Sequence, residues 1–501
     1  MSDATPTARD AATASLERAY DSVLFVGRPW PNTHPARMAT IARLVGIEVP
    51  DPRRARVLEV GCGDGGNLVP IAAASPEARL VGIDLSQRAI GEARAFAGAL
   101  GLANVRFIHG DLRELPTSGD TYDYIIAHGF HSWVPPPVRD ALFETIRETL
   151  ADDGIAFVSH NTLPGCSIRK IVWEVLRSQT DAIESPPEKF ARARVVAALM
   201  SEAMRMQPGL PQALASEFDD IASRPDFMLM HDDIAPINDP VLLRDFAAQA
   251  DRHGLTWLAD ADLFKHVAPA FGERANAWID TVGRIEREHL VDHIRLRRFR
   301  ESLVVRAGRG TGTPVAATRL EPMHLSAANS LVEQPGAAPP PPASDRSPAA
   351  MRRRLLDRLV AAHPASIPVR DLVAWIAGSS APGSALAQPE QALHLLLRAA
   401  LAGMALPHAE PVPVATRIGE RPVAFAPARW QAQRRDFGGN RRHDAVALHG
   451  EAQRRLLPLL DGTRDRAGIA ARAEDWNPPG EARHALDDHL AHFLKLGVID
   501  P

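Results

Sequence analysis

The chain is poor in the residues on which disulfide-bonded and cysteine-ligated proteins depend. Cys62 and Cys166 are its only cysteines among 501 residues, which excludes a disulfide framework and a cysteine-rich zinc site. No apolar run reaches the ~20 residues that a bilayer-spanning helix needs, and residues 1–20 are too polar for a signal peptide. These absences predict a cytoplasmic protein with no membrane span.

A large excess of charge of one sign is also absent. The 57 Lys and Arg residues nearly balance the 61 Asp and Glu residues, for a formal net charge of −4, so the chain has no strong nucleic-acid signature. The one basic cluster, residues 295–306, suits either an acidic partner or a helix face paired with neighbouring carboxylates, and we favour the second. Trp430 and the arginine-rich residues 434–442 suit either a partner contact or a surface loop.

Residues 56–160 alternate short apolar runs with helical stretches. The runs are rich in aliphatic and β-branched residues, and the stretches between them carry helix signals such as Ser86 as an N-cap and Gly101 as a stop. Continuous apolar strands separated by helices are typical of a parallel sheet covered on both faces. The predicted fold class is therefore α/β. The strand candidates are residues 56–60, 79–84, 105–109, 122–127 and 155–159.

The length of the chain predicts about three units rather than one core. Two late segments, residues 302–307 and 321–327, look extended, and we expect them to return to the first sheet as its last two strands. The helical block between the two halves of that sheet is then an insertion. The predicted first domain is 1–170, and residues 300–330 complete its sheet. The other predicted boundaries are 171–299 for the helical domain, 333–349 for a Pro-rich linker and 350–501 for a mainly helical C-terminal domain.

A glycine-rich turn, residues 59–67 (EVGCGDGGN), directly follows the first strand. Glycines at such a turn let the backbone approach a ligand closely and enter the next helix tightly. The turn alone is ambiguous, because Gly61, Gly63 and Gly66 also fit the spacing of dinucleotide-binding loops.

Three acidic residues around this turn favour another ligand. Asp84 ends the second strand and suits ribose hydroxyls, Glu59 precedes the turn, and Asp111 follows the third strand. Carboxylates suit a ligand that carries a sulfonium and an ammonium, whereas they would repel a pyrophosphate. Each acid alone could be structural, but together they resemble the S-adenosylmethionine site of class I methyltransferases. In that site the third acid meets the adenine amino group.

Six further segments resemble one family as a set. They are similar to class I methyltransferases that carry a methyltransferase regulatory domain, a group that includes bacterial protein-lysine methyltransferases of outer-membrane proteins. The resemblance implies a Rossmann-like seven-stranded sheet, a helical regulatory domain as the insertion and a winged-helix-like C-terminal domain. The segments are residues 31–40 (PNTHPARMAT), 127–135 (AHGFHSWVP), 159–165 (SHNTLPG), 228–261, 297–303 (RRFRESL) and 456–465 (LLPLLDGTRD).

The resemblance implies a set of residues that bind S-adenosyl-L-methionine. Tyr20 and His34 are expected to form a lid over the cofactor, although Thr33 and Pro35 also suit the cap of a helix. The expected cofactor-binding residues are Tyr20, His34, Glu59, Gly61, Gly63, Gly65, Asp84, Leu85, Asp111, Leu112 and His128.

The methyl-transfer site is expected at the ends of the fourth and fifth strands. His131 and His160 are candidate general bases or orienting groups, with Asn161 beside them; the alternative is that both histidines are structural. The family often has Tyr at these two positions and Trp at Cys166, so a substrate different from that of the lysine enzymes stays open. No metal is expected, because these histidines have no zinc-like spacing. The remaining residues of the expected substrate pocket are Ser132, Trp133 and His231.

Three functions are compatible with these patterns. The first is N-methylation of lysine or another amine on a protein, which we favour because a small metabolite rarely needs such large auxiliary domains. The second is N- or O-methylation of a small molecule, and the third is cofactor binding without turnover. A homodimer is the usual default for such enzymes.

Overall fold

A seven-stranded sheet forms the centre of the N-terminal part of the molecule. The computed structural model describes residues 16–18, 20–115, 119–266, 271–309, 314–333, 341–342, 344–381, 383–473 and 482–501. The strand order of the sheet is β3-β2-β1-β4-β5-β7-β6. Its strands are β1 Arg56–Val60, β2 Arg79–Asp84, β3 Val105–His109, β4 Tyr122–Ala127, β5 Leu150–Asn161, β6 Leu255–Asp260 and β7 Phe299–Arg306.

The first five strands run parallel to one another, and β7 is antiparallel to both of its neighbours. Alternate side chains of each strand enter two separate cores. Val57 and Tyr124 belong to one core, whereas Leu58 and Ile125 belong to the core on the opposite face. Burial on both faces explains why these strands read as continuous apolar runs. The predicted fold class is confirmed.

The two outer strands of the sheet differ from the prediction. β7 joins the sheet as expected, but residues 321–327 do not. His324–Ala327 (β8) instead pairs antiparallel with Ala405–His408 (β10) and Ile367–Pro368 (β9) in a separate three-stranded sheet. The seventh strand of the main sheet is β6, which lies within the block predicted to be helical. The prediction of 321–327 as the last strand was wrong, because its partner strand lies much later in the chain.

Helices cover both faces of the main sheet. His34 accepts a hydrogen bond from the Ala36 N–H at the start of one helix, and Ser86 accepts one from the Ala89 N–H at the start of another. These side chains satisfy backbone donors that the first turn leaves free. The helices of this part are Pro35–Leu44, Leu68–Ala74, Gln87–Ala99 and Pro136–Thr149, with Leu243–Arg252 packed beside β6.

The chain between β5 and β6 forms a helical unit with a core of its own. Val172, Phe190 and Phe218 lie in that core. Its helices are Cys166–Thr180, Pro186–Arg205, Leu210–Ser223 and Asp226–Met228, the last of which continues as the π-helix Leu229–Asp233; Glu273–Ile279 and Arg284–Arg295 follow β6. Among the described residues, no helix combines the length and apolar character that crossing a bilayer requires.

The C-terminal part divides between two cores. Met351, Leu355 and Leu396 share a core with Met38 of the first domain, whereas Phe425 and Phe493 belong to a separate cluster. Residues 334–340 and 343 of the predicted linker, 333–349, lie outside the described residues, and its last two residues begin the helix Pro348–Ala362. The helices here are Asn329–Glu333, Pro348–Ala362, Val369–Ser379, Pro389–Leu401, Ala426–Ala432, Gly450–Leu456, Arg466–Ala473 and Ala482–Lys495, and the strands β11 Phe437–Gly439 and β12 Ala445–Ala447 pair antiparallel.

Most of the basic cluster lies on or next to β7 and is paired with carboxylates, and only Arg295 lies on a helix. Arg300 on β7 is fully buried, and its guanidinium contacts Asp292 at 2.8 Å and Glu288 at 2.9 Å. Arg298 pairs with Glu217 at 2.6 Å. Because burying one unpaired charge is costly, Asp292 and Glu288 are what allow Arg300 to lie inside the protein, whereas the Arg298 side chain is exposed.

Candidate active site

A large cleft lies at the carboxyl ends of the parallel strands. Its volume is about 2560 Å³, larger than the roughly 300–1,000 Å³ of ordinary small-molecule sites. Glu59, Asp84, His128 and Asn161 line it from four different strand ends. The fold thus brings together residues that are 25 or more positions apart in the sequence.

The glycine-rich turn is held against β2. The backbone N–H of Gly61 donates to Ile83 O at 2.8 Å, and Gly63 N–H donates to Asp84 Oδ2 at 2.8 Å. Gly61 and Gly63 line the cleft, but Gly65 does not. Gly65 has a φ of 73°, and a Cβ there would lie 3.1 Å from Val69, so this glycine serves the turn rather than the ligand.

Asp84 joins the turn to the next helix. Its Oδ1 accepts a hydrogen bond from Ser86 N–H at 2.8 Å, while Oδ2 holds Gly63. Burial raises the pKa of its carboxyl, and the two backbone N–H donors oppose that rise. A carboxylate accepts about four hydrogen bonds, so Asp84 retains the capacity to accept from the hydroxyls of a ribose.

Glu59 offers an unused acceptor inside the cleft. Its Oε1 accepts from Asn67 Nδ2 at 2.7 Å, but Oε2 is buried with no hydrogen-bond partner among the described residues. Burial raises the pKa of Glu59 to about 8. A buried oxygen without a donor is costly, and an ammonium group of a ligand would satisfy it. This orphaned oxygen fits S-adenosylmethionine.

His128 and Arg28 lie on the same side of the cleft. The His128 ring lies 4.4 Å from that of Trp30, and its buried Nδ1 has no partner in the described structure. Burial and the positive charge of Arg28 lower the pKa of His128 to about 3, so the imidazole is neutral. The Arg28 guanidinium lies 4.1 Å from the centre of the Trp30 ring, where it suits a ligand carboxylate.

Asp111 and Leu112 line the cleft near the end of β3. Asp111 caps the short 3₁₀ helix Leu112–Glu114 by accepting from the Arg113 N–H, and it also pairs with the Arg113 side chain. Asp111 therefore both caps this short helix and lines the cleft. Leu85 lines the cleft as well.

Tyr20 and His231 form an aromatic wall of the cleft. Their rings stack with centroids 5.2 Å apart, and His231 Nε2 donates to Val23 O at 2.7 Å. Asp232 lies beside them, and burial together with Asp233 raises its pKa to about 6. Trp133 also lines the cleft. The helical unit thus contributes side chains to the same space as the main sheet.

His34 does not line the cleft. Its Nδ1 is occupied by the Ala36 N–H at 3.1 Å, as the cap of the helix Pro35–Leu44, and its ring faces His443. The structure therefore supports the helix-cap alternative, with His34 rather than Thr33 supplying the capping atom. Its assignment to the cofactor does not agree with this position.

His131 and His160 lie behind the cleft rather than in it. Both are at most 1% exposed, and the His160 ring stacks on Phe246 with centroids 4.3 Å apart. Burial lowers the pKa of His131 to about 4 and that of His160 well below its usual value. Neither side chain lines the cleft, because each turns toward the core under the helix Leu243–Arg252. The position of the two histidines contradicts a direct catalytic contact and supports the structural alternative.

Asn161 is the predicted catalytic residue that does reach the cleft. Its Nδ2 donates to Asn238 Oδ1 at 3.0 Å, and its backbone N–H donates to Ser132 Oγ at 2.9 Å. Ser132 itself is buried behind the cleft wall. Cys166, where the family often has Trp, lines the cleft, and its thiol contacts Arg298 O at 2.9 Å.

Several lining residues were not predicted. Arg28 and Trp30 lie in an irregular segment without periodicity, so no sequence pattern indicated them. Arg435 and Phe437 come from the C-terminal part, where the sequence left open a partner contact or a surface loop. The structure shows that both line the cleft and that Arg435 contacts Gly27 of the first domain. No group of three His, Cys, Asp or Glu side chains in the described ranges is arranged to hold a metal ion.

Family comparisons identify three domains along the chain. Residues 57–154 match the family described as "Methyltransferase domain", residues 225–306 the "Predicted methyltransferase regulatory domain", and residues 420–490 "PKMT, C-terminal winged helix domain". These matches confirm the resemblance to S-adenosylmethionine-dependent methyltransferases with a regulatory domain. They also place a winged helix domain within the predicted C-terminal region.

Two curated relatives come from Rickettsia prowazekii (strain Madrid E). The uncharacterized protein RP789 is 32% identical over 297 residues, which are 58% of this chain and 53% of the relative. The uncharacterized protein RP028 is 28% identical over 235 residues, 46% of this chain and 94% of the relative. The alignment with the first therefore spans about half of that relative's length.

A solved structure shares the fold along nearly the whole chain. It is PKMT2 from Rickettsia typhi in complex with AdoHcy, with a TM-score of 0.82, 20% identity and coverage of 95% of this chain and 99% of that chain. At this identity the likeness concerns the fold. The arrangement of sheet, helical insertion and C-terminal domain is common to both proteins.

Proposed function

We propose that the protein transfers a methyl group from S-adenosyl-L-methionine to an amine nitrogen of a protein, with lysine as the acceptor side chain. The observation that carries the proposal is the cleft of about 2560 Å³. It exceeds what a cofactor and a small metabolite require, and residues of the methyltransferase, regulatory and winged helix segments all line it. The name of the winged helix family, PKMT, supports a protein acceptor.

The cofactor supplies an electrophilic methyl group on a sulfonium. Around it, Glu59 Oε2 would accept from the ammonium of the amino-acid part, and Arg28 would hold the carboxylate. Asp84 would accept from the ribose hydroxyls and Asp111 from the adenine amino group. Each contact restricts the ligand to one orientation, and such positioning is the main contribution a protein makes to an in-line displacement.

The acceptor amine must lose a proton before it can attack. Lowering a lysine pKa of about 10.4 to about 7 costs roughly 4.6 kcal/mol. Asn161 donates its amide to Asn238, so its own Oδ1 can accept from the acceptor N–H and orient the lone pair. Asp232, whose pKa is raised to about 6 in the same cleft, is suited to take up the proton.

Labelled methyl transfer tests the proposal. Extract of the source cells is separated into protein and small-molecule fractions, and each is incubated with the protein and methyl-labelled S-adenosylmethionine. We expect label in protease-sensitive material that, after acid hydrolysis, co-migrates with methyllysine; the Asp84→Ala variant serves as the blank. Base-labile label would indicate O-methylation instead.

Label confined to the small-molecule fraction would contradict a protein acceptor and support a metabolite. Binding of S-adenosylhomocysteine without transfer to either fraction would support a regulator that does not turn over. Label transfer to the two fractions, together with a measurement of S-adenosylhomocysteine binding, thus gives a different result for each of the three functions that the sequence leaves open.

We also propose that the protein is a homodimer and that it is located in the cytoplasm. The hairpin of the helices Pro186–Arg205 and Leu210–Ser223 leaves large apolar side chains exposed, including Leu199 at 60% and Met206 at 79%. Such a patch is what a second copy would cover. The molar mass in solution tests the dimer, and we expect Leu199→Glu to shift it to that of a monomer.

A further inference from the structure

The winged helix segment contacts the glycine-rich turn directly. Arg435 donates from Nη2 to Asp64 Oδ2 at 2.6 Å, and from Nη1 to Gly27 O. The side chains of both charged residues are mostly buried, at 11% and 3% exposure. Residues 64 and 435 are far apart in the sequence, so this ion pair fixes two domains at one point of the cleft.

Residues 22–30, which we call the strap, cross the turn at very short range. A Cβ on Gly66 would lie 2.2 Å from the carbonyl carbon of Gly27, and a Cβ on Gly27 would lie 2.3 Å from Asp64 Oδ1. Only glycine permits this approach of two backbones. The strap also carries Arg28 and Trp30 into the cleft.

The Asp64 carboxylate links the strap to the glycine-rich turn by hydrogen bonds. Its Oδ1 accepts from Gly66 N–H at 3.0 Å, and its Oδ2 accepts from Gly27 N–H at 3.2 Å. Arg435 supplies the cation that this buried carboxylate needs. Removal of the arginine would leave the charge buried without a counter-ion, which is among the most disruptive changes a protein site can undergo.

A second contact from the same segment reaches Glu59 through Asn67. His443 Nε2 donates to Asn67 Oδ1 at 2.8 Å, and Trp30 N–H donates to the same oxygen at 3.0 Å. With Oδ1 held by these donors, Asn67 Nδ2 points to Glu59 Oε1, 2.7 Å away. The Glu59 carboxyl is thereby oriented with its unpartnered Oε2 left for the ligand.

The two domains are docked by apolar packing beside these contacts. Trp430 stacks on Phe96 of the helix Gln87–Ala99 with centroids 4.0 Å apart and an angle of 13°. Gly439 lies against Pro29 and Pro70, 3.1 Å and 3.8 Å from the position a Cβ would take. Arg435 and His443 thus approach the turn from a firmly packed interface.

We propose that the C-terminal domain completes the cofactor site, because Arg435 and His443 hold the strap and the glycine-rich turn in the arrangement that binds S-adenosylmethionine. Both act through Asp64 and Asn67, so they are positioning residues. The proposal depends on the cofactor and not on the acceptor, and therefore goes beyond the proposed function.

Calorimetric titration of the full chain with S-adenosylhomocysteine tests the proposal. For Arg435→Ala we expect a loss of affinity of roughly tenfold or more, and for His443→Ala a smaller loss, since Trp30 N–H still holds Asn67. The matched control is Arg441→Ala, which removes an Arg–Asp500 pair of 2.6 Å within the same domain and should leave the affinity unchanged.

Kinetics with S-adenosylmethionine separate positioning from general destabilisation. We expect Arg435→Ala to raise the KM for the cofactor while kcat at saturating cofactor changes little. Arg435→Lys, which keeps the cation but not the two-pronged donor, should recover part of the affinity. Hydrogen exchange of the unliganded Arg435→Ala chain should be faster in residues 22–30 than in the natural chain.

Equal affinity of folded Arg435→Ala and the natural chain would overturn the proposal, and so would equal losses in Arg435→Ala and Arg441→Ala. If Arg435→Ala does not fold, Arg435→Lys and His443→Ala carry the test, and unchanged affinity in both would overturn it. Failure of the natural chain to bind S-adenosylhomocysteine would instead contradict the proposed function.

Discussion

The carboxyl ends of β1 and β5 lie at the same edge of the sheet but present their polar residues to different surroundings. Glu59 of β1 and Asn161 of β5 line the cleft, whereas His160, one position earlier than Asn161, stacks on Phe246 in the core. Successive side chains of a strand point to opposite faces. At the end of a strand, one position therefore separates a residue of the active site from a residue of the core.

The largest expected effect concerns Glu59, the residue of β1 that faces the cleft. It is a dependence of the free energy of unfolding on pH. Burial raises the pKa of Glu59 from 4.5 to about 8, so the folded state favours the protonated carboxyl. The stability this provides is complete below about pH 4.5 and is lost as the pH rises toward 8. The natural chain should lose on the order of 1.4 kcal/mol per pH unit in this window from this group.

Glu59→Gln cannot ionise and should escape that loss. We expect the difference in unfolding free energy between the variant and the natural chain to grow in favour of the variant from pH 5 to pH 8, as measured by denaturant titration. Binding of S-adenosylhomocysteine should weaken at the same time, because the amide of Gln cannot ionise beside the ligand ammonium as the Glu59 carboxyl can. Parallel pH curves for the two chains would show that Glu59 is not held in a desolvated site.

Asp84→Ala should produce the next largest effect, a loss of more than tenfold in affinity for S-adenosylhomocysteine. The change removes the acceptor for the ribose hydroxyls and also releases the N–H groups of Gly63 and Ser86. Asp123→Ala is a matched control, because it removes a buried carboxylate that pairs with the exposed Arg56 at the opposite end of the sheet. It should lower stability and leave the affinity unchanged; equal losses in both variants would contradict the assignment.

The neighbouring residues Asn161 and His160 give the finest test. Asn161→Ala should lower kcat roughly tenfold without changing cofactor affinity, since it removes a group that orients the acceptor. His160→Gln should change kcat by less than threefold or so, and should cost about 1 kcal/mol of stability through the loss of its packing. A larger kcat defect in His160→Gln than in Asn161→Ala would return the histidine to the catalytic site.

The cofactor side of the site was largely predictable because its signals are local. A glycine-rich turn after an apolar strand, with an acid at the end of the next strand, specifies the geometry within about 25 residues of chain. Glu59, Asp84 and Asp111 all line the cleft accordingly. Their spacing is set by the strands and helices between them, which the sequence pattern also indicates.

The acceptor side was less predictable because loop residues have no fixed periodicity. His131 lies in the loop after β4, and no pattern distinguishes a side chain that faces the cleft from one that faces the helix Leu243–Arg252. The β6 strand was missed for a similar reason. It lies in a largely helical block, and its role depends on pairing with β7, some 40 residues later.

The sequence by itself determined the parallel sheet, the position of the glycine-rich turn and the choice of S-adenosylmethionine over a dinucleotide. It did so because alternation of apolar runs, glycines and acids is a local property of the chain. Only the tertiary structure decided that Arg435 and His443 reach that turn and that His160 does not reach the cleft. Those contacts join residues up to 376 positions apart. No local sequence pattern indicates which buried polar or charged side chains will pair over such separations.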